Sequence, residues 1–269
     1  MAEPRDSSPP SLKERLRQRR KQMGRARSPN RDEPVDGNAL EEGTVVLHEM
    51  FARMVTLHPG NIAKKSGKSI CLQEADALRV AESAGLPVPH VHSAETTSDG
   101  KNYISMDYIK GQVLSDIWTG LSGEEKKAIS SQLRDILVIM RSIPAPEAHI
   151  GGCAGEKKEF NDYLLASLFP QIPSPIYAAF SRRLRTNHRI VFTHADLSPR
   201  NIIVRDAKVV GIIDWEDAGW YPEYWEYVKF FQRSTTEDGD WRCHADDIFP
   251  CGYPDELVDY IALSKWQSP

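Results

Sequence analysis

The stretch Thr193-His194-Ala195-Asp196-Leu197-Ser198-Pro199-Arg200-Asn201 constrains this chain more than any other part of it. It is a polar, irregular segment between two apolar runs, residues 190–192 before it and 202–204 after it, and a further run over 209–213 ends on Asp214. Short apolar runs bounded by turn formers predict strands. The order is therefore strand, loop, strand, turn, strand, acid. A hairpin through Asp206-Ala207 returns the chain, so that Asp214 lies beside Asn201 while Asp196 stays in mid-loop.

Asn201 and Asp214 then offer an amide oxygen and a carboxylate. Both are hard ligands, which suit Mg2+ better than zinc. The remaining carboxylate, Asp196, is left to handle a substrate. A carboxylate there accepts a hydrogen bond from an incoming hydroxyl. Phosphoryl transfer asks mainly for positioning and charge neutralisation, and these residue types fit that reaction. The plain alternative is a polar loop in an ordinary α/β domain, since His, Asp and Asn are common turn formers. The joint agreement of spacing, flanking strands and second acid argues against it.

The pattern H-x-D-x-x-x-x-N, followed by a strand ending in Ile-Ile-Asp-Trp-Glu at 212–216, resembles the aminoglycoside phosphotransferase and choline kinase family, the small-molecule branch of the protein-kinase-like fold. Protein kinases carry H-R-D and D-F-G at these places, where this chain has His194-Ala195-Asp196 and Asp214-Trp215-Glu216. The resemblance covers about 43–266 and implies a two-lobed α+β fold, with a small antiparallel-sheet N-lobe and a mostly helical C-lobe. It implies ATP and Mg2+ as cofactors and a small-molecule hydroxyl acceptor. It assigns Asp196 as the catalytic residue and Asn201 and Asp214 as the metal ligands.

Three short runs, at 45–47, 54–57 and 62–65, are separated by turn residues including Pro59-Gly60-Asn61, and they predict a small antiparallel sheet. By the resemblance its third strand carries a lysine that contacts the ATP phosphates. Lys64 and Lys65 compete for that role. Period two puts Lys65 on one face with the small Ala63, and the family's K-x-G matches Lys65-Ser66-Gly67, so Lys65 is preferred. A helix follows over 73–84, with Leu78 and Ala81 facing the sheet and Gly85 at its C-terminus. The resemblance makes Glu74, in its first turn, the ion-pair partner of Lys65. By itself Glu74 also reads as a surface acid complementing the helix dipole.

The segment 86–91, Leu-Pro-Val-Pro-His-Val, is extended by its X-Pro steps. The strand over 103–109 leads to Lys110-Gly111, which by the resemblance is the hinge between lobes. Met106 then lines an adenine pocket, and backbone groups of Asp107, Tyr108 and Ile109 bind the base. The residues alone read equally as a core strand and a glycine turn. No G-x-G-x-x-G occurs near the first strands; only Gly43 and Gly60 are close.

A capping-box pattern at Ser122 to Glu125 opens a long helix whose stripe Ile129, Leu133, Ile136, Leu137, Met140 and Ile143 is core, ending at Pro144. Shorter helices are predicted over 160–168 and 176–184. After Asp214, Pro222 suits the first position of a helix, with Tyr224, Tyr227, Val228 and Phe231 as its buried stripe. The acids and aromatics around it suit a structural corner and a cationic acceptor equally, with Glu216 and Asp217 ahead of Glu223 as acceptor contacts.

The division expected is a disordered basic tail over 1–38, an N-lobe over 39–108 and a C-lobe over 109–269. The first 31 residues carry ten Lys and Arg against Glu3, Asp6 and Glu14. That tail reads as a solvated arm, with nuclear targeting or RNA contact as its sharper reading. The net charge of −4 otherwise gives no mark of a nucleic-acid binder. Cys71, Cys153, Cys243 and Cys251 lack C-x-x-C spacing, and Cys243-His244 near Asp246 is only a faint cluster. With no apolar run of membrane-spanning length and no apolar signal core, a cytoplasmic setting is expected. A second reading is a catalytically inactive, kinase-like nucleotide- or partner-binding protein. The missing glycine loop and the short stretch after Leu263 favour it, and the intact Asp196, Asn201 and Asp214 oppose it.

Overall fold

The computed structural model describes residues 42–50, 52–145 and 157–267, all within the compact unit Leu40–Pro269. The basic tail expected over 1–38 lies outside the described residues. Strands β1 (Val45–Met50), β2 (Arg53–His58) and β3 (Ile62–Gly67) form an antiparallel meander. Pro59-Gly60-Asn61 makes the second turn, with Gly60 and Asn61 both at positive φ. Helix α1 (Gln73–Ser83) buries Glu74, Ala75, Ala77, Leu78 and Ala81. It closes in a Schellman motif: the Gly85 N–H donates to Glu82 O at 2.8 Å and the Leu86 N–H to Ala81 O at 3.1 Å, with Gly85 at φ 77°. Strands β4 (Val91–Thr96) and β5 (Asn102–Asp107) complete a five-stranded sheet in the order β1-β2-β3-β5-β4.

Close packing at the first turn depends on Gly67. A Cβ there would lie 1.9 Å from the Ala52 carbonyl oxygen, and Gly67 has φ +147°. A Gly67→Ala change is expected to cost about 1–3 kcal/mol, because overpacking and an unfavourable φ act together. Urea denaturation checks this; an unchanged midpoint would mean that the β1–β2 turn simply moves aside.

Past the sheet come β6 (Gln112–Val113), α2 (Leu114–Ile117) and the long helix α3 (Gly123–Ser142). Ser122 caps α3 in a capping box with Glu125, and Ile129, Leu133, Ile136, Leu137 and Met140 form its buried face, as the pattern predicts. Helices α4 (Lys157–Ala166) and α5 (Ser174–Arg183) begin two to three residues earlier than their sequence pattern suggests. Strand β7 (Ile190–Thr193) enters the polar loop, whose last turn is a 3-10 helix over Pro199–Asn201. Strands β8 (Ile202–Arg205) and β9 (Lys208–Ile212) then pair through a two-residue turn with Asp206 at φ 52° and Ala207 at φ 58°. Two positive φ values in a two-residue hairpin match the right-handed twist of the strands.

One expectation is corrected beyond this point. Pro222 does not start a helix; it ends strand β10 (Gly219–Pro222), paired with Ile190 of β7. The pair is a two-stranded sheet, where the missing N–H of proline is tolerated. Helix α6 (Trp225–Arg233) starts three residues later and buries Trp225, Glu226, Tyr227, Val228 and Phe230, while Phe231 is only partly buried. The helices α7 (Ala245–Ile248) and α8 (Pro254–Ser264) follow. Trp118 and Trp241, both fully buried, meet edge to face at 4.8 Å and 85° in the core, a contact worth about 0.5–1.5 kcal/mol beyond its area. The architecture is two-lobed α+β, a small antiparallel sheet with one helix followed by a mostly helical lobe. Among the described residues no helix is long and apolar enough to cross a membrane.

Candidate functional site

The loop between β7 and β8 is shaped by backbone groups that cannot reach water. Ala195 sits at φ 65°, an uncommon conformation for a residue with a Cβ. It is held there by Glu226, which is 1% exposed and accepts from the His194 N–H at 2.6 Å and from the Ala195 N–H at 3.1 and 3.2 Å. The His194 ring accepts from the Asp196 N–H at Nδ1, 3.1 Å. The ring proton is thereby assigned to Nε2, which donates to Ile213 O at 3.0 Å. His194 is thus a buried strut tying the loop to the segment before Asp214.

Asn201 closes the loop on itself. Its Nδ2 donates to Asp196 O at 3.0 Å, and its carbonyl accepts from the Ile213 N–H at 2.9 Å. The second bond places Asp214 one residue from Asn201's partner. The amide oxygen of Asn201 is the side-chain atom left for another donor or an ion. Among the described residues no group of three or more His, Cys, Asp or Glu gathers as a metal cluster. One carboxylate and one amide oxygen nevertheless fit Mg2+, which keeps several waters and takes its other ligands from phosphates.

Lys65 bridges the two parts of the chain. Its Nζ donates to Glu74 Oε1 and Oε2 at 3.0 and 2.8 Å and to Asp214 Oδ1 at 2.6 Å. Lys64, the alternative, instead lies over the Tyr103 ring at 4.3 Å. Two carboxylates around one ammonium leave a surplus negative charge. Burial works against the Lys65 ammonium, but Glu74 and Asp214 outweigh it and raise its pKa. Burial pushes Glu74 up to about 7 against the pull of Lys65, with repulsion from Asp214 adding to the rise. Asp214 is half-buried, which works against its charge, yet Lys65 holds its carboxyl below the usual range.

The expected hinge residues lie at the end of β5. Met106 is buried beside Ala63, its register partner on β3. The Asp107 N–H donates to His90 O at 2.9 Å and the Tyr108 N–H to Asn61 O at 2.8 Å. Two donors of this stretch are therefore used internally. The Ile109 N–H has no backbone acceptor among the described residues.

Several charged residues around the site were not singled out from sequence. Arg200 Nη2 donates to both Asp196 oxygens at 2.7 Å, and Ser198 Oγ donates to Oδ1 at 2.9 Å. Arg233, at the end of α6, reaches Asp196 Oδ2 at 3.5 Å and Asp217 Oδ2 at 2.5 Å. Arg53 of β2 pairs with Glu216 at 2.8 Å. Glu216 and Asp217, expected as contacts for a cationic acceptor, thus each face an arginine. Glu223 pairs with Arg189 at 3.0 Å. Only the arginine within the loop had a sequence signal, its i, i+4 spacing from Asp196; Arg53, Glu226 and Arg233 had no signal beyond charge.

The sequence profile described as the phosphotransferase enzyme family, APH, matches residues 64–246. Among solved structures, the streptomycin-ATP ternary complex of APH(2'')-IIa superposes with a TM-score of 0.63 at 19% identity, over 82% of this chain and 84% of that one. ADP-bound aminoglycoside phosphotransferase APH(2'')-Ib gives 0.61 at 19% identity, over 82% and 80%. An apo thermostable mutant of aminoglycoside phosphotransferase APH(4)-Ia gives 0.59 at 15%, over 82% and 87%. At such identities the likeness is one of fold. No curated protein matches the chain in sequence.

Proposed function

The chain belongs to the phosphotransferase enzyme family, and from that premise we propose that it transfers the γ-phosphoryl group of ATP to a hydroxyl of a small molecule. The observation that carries the reading is the single cluster in which Lys65 joins Glu74 to Asp214, with Asn201 hydrogen-bonded both to the segment before Asp214 and to the Asp196 carbonyl. In this reading Asp196 orients the acceptor hydroxyl and takes its proton on a carboxylate oxygen. Lys65 braces the phosphates, and Glu74 holds Lys65 extended toward them. Asp214 and Asn201 would hold Mg2+, which when bound neutralises charge on the phosphate oxygens. Met106 lines the adenine site, and the backbone from Asp107 to Ile109 meets the base, with the Ile109 N–H as its donor. His194 supports the loop and does not react. The lobes meet at the turn after Ile109, with the N-lobe over 39–108 and the C-lobe over 109–269.

The test is ADP release from Mg-ATP with amino-alcohols, aminoglycosides, sugars, hydroxy acids and nucleosides as acceptors. Acceptor-dependent release is expected for one class; Mg-ATP that neither binds nor turns over would reject the reading. In parallel, Asp214→Asn is expected to weaken Mg-ATP binding about tenfold or more, since a carboxylate ligand contributes on the order of 1–3 kcal/mol through charge-assisted contacts. Calorimetric titration with and without Mg2+ reads this directly. Equal affinity in both proteins would remove Asp214 from the metal site.

A further inference from the structure

We propose that the acceptor carries an anionic group, a carboxylate or a phosphate ester, close to the hydroxyl that is phosphorylated, and that Arg233, Arg200 and Lys229 receive it. The inference rests on the phosphotransfer reading, because it takes the mouth of Asp196 as the acceptor's place. It follows from what already occupies the reacting carboxylate. Asp196 is 6% exposed, and its oxygens are taken by Arg200 at 2.7 Å, by Ser198 at 2.9 Å and by Arg233 at 3.5 Å. A hydroxyl can reach Asp196 only if a guanidinium gives way. A neutral acceptor would leave that guanidinium without its carboxylate. An acceptor with its own anion replaces one carboxylate by another at the arginine and frees Asp196 for the hydroxyl. The planar guanidinium fork suits carboxylate and phosphate alike.

The surrounding charge points the same way. Lys229 lies one helical turn before Arg233 on α6, over the Trp225 ring at 5.2 Å, and donates to the neutral Gln232 Oε1 at 2.7 Å. No carboxylate is within ion-pair distance of it among the described residues, and it is half-buried. Burial and the neighbouring Arg233 hold its pKa down to about 8. The acids nearby are already committed: Asp217 to Arg233, Glu216 to Arg53, and Glu226 to the loop backbone. Side chains of Arg200 and Arg233 are 42% and 34% exposed, so an incoming anion can reach them from solvent. A polycation would instead meet carboxylates that each already hold an arginine.

The test uses the full chain with Mg2+ and a non-hydrolysable ATP analogue, and measures binding of matched pairs by calorimetry: glycerate against glycerol, gluconate against glucose, with kanamycin as the polycation. At least one acid is expected to bind about tenfold more tightly than its neutral partner. Arg233→Met should abolish that preference while leaving the affinity for the ATP analogue within about twofold. Lys229→Met, at a position with no ion pair to break, should lower the same preference severalfold and serves if the Arg233 variant does not fold. Equal binding of acid and neutral partner, a preference for kanamycin, or an acid preference that survives both substitutions overturns the proposal. Nucleotide affinity is read separately: its absence would sink phosphotransfer itself, whereas nucleotide binding without acid preference sinks only this inference.

Discussion

Asp196→Asn should lower acceptor-dependent ADP release by about a thousandfold, the middle of the range for removing a general base, and leave Mg-ATP affinity nearly unchanged. Asparagine keeps the shape of the side chain and can still accept from Ser198 Oγ, which bonds Asp196 at 2.9 Å. It cannot take a proton at neutral pH. The backbone bonds that hold the loop use Asp196 N–H and C=O, not the carboxylate, so the fold should survive. The carboxylate also carries two guanidinium contacts, and Asp196→Glu separates the two roles. It restores the charge that Arg200 and Arg233 meet but moves the oxygens by a methylene. Steady-state rates and nucleotide titrations on both variants give the answer. An Asn variant with more than about a tenth of the parent rate would take the proton-accepting role away from Asp196.

Glu226→Ala should be the most destabilising single change near the site, costing about 2–6 kcal/mol, because it leaves two buried backbone N–H donors without an acceptor at about 1–3 kcal/mol each. Its carboxylate is 1% exposed and serves two consecutive backbone donors, His194 N–H and Ala195 N–H. Those donors have no route to water, and Ala195 at φ 65° would lose what holds it in an unfavourable conformation. Glu226→Gln keeps one acceptor oxygen and should recover about half of the loss. Denaturant titration of both variants checks the order. A loss under about 1 kcal/mol in the alanine variant would show that the loop holds its own shape.

The legibility of these residues in the sequence differs for physical reasons. The Asp206-Ala207 turn, the Ser122 capping box and the Gly85 helix end rest on interactions within about six residues. Backbone sterics and local hydrogen bonds decide them before any tertiary contact forms. Lys65 was preferred to Lys64 because alternate residues of a strand face opposite ways, which sets Lys65 beside Ala63, and because the K-x-G pattern of the resembling family matches Lys65-Ser66-Gly67. Glu226 could not be recognised in this way. An acid in the first turn of a helix looks like a complement to the helix dipole, and its true partners lie 31 and 32 residues back. Pro222 fitted a helix start and became a strand end, because pairing of β10 with β7 overrode a local preference.

The amino-acid pattern by itself determined the loop, its flanking strands, the adjacency of Asn201 to Asp214 and hence the kind of chemistry the loop can host. The packing of α6 and of β2 against that loop decided which charges surround it: Arg233 at Asp196, Arg53 at Glu216, across 37 and 163 residues of sequence. An ion pair at such separation depends on helix azimuth and lobe placement, and neither leaves a periodic trace in the chain. Tertiary contacts thus bring Arg233 to a carboxylate that already meets Arg200 of its own loop.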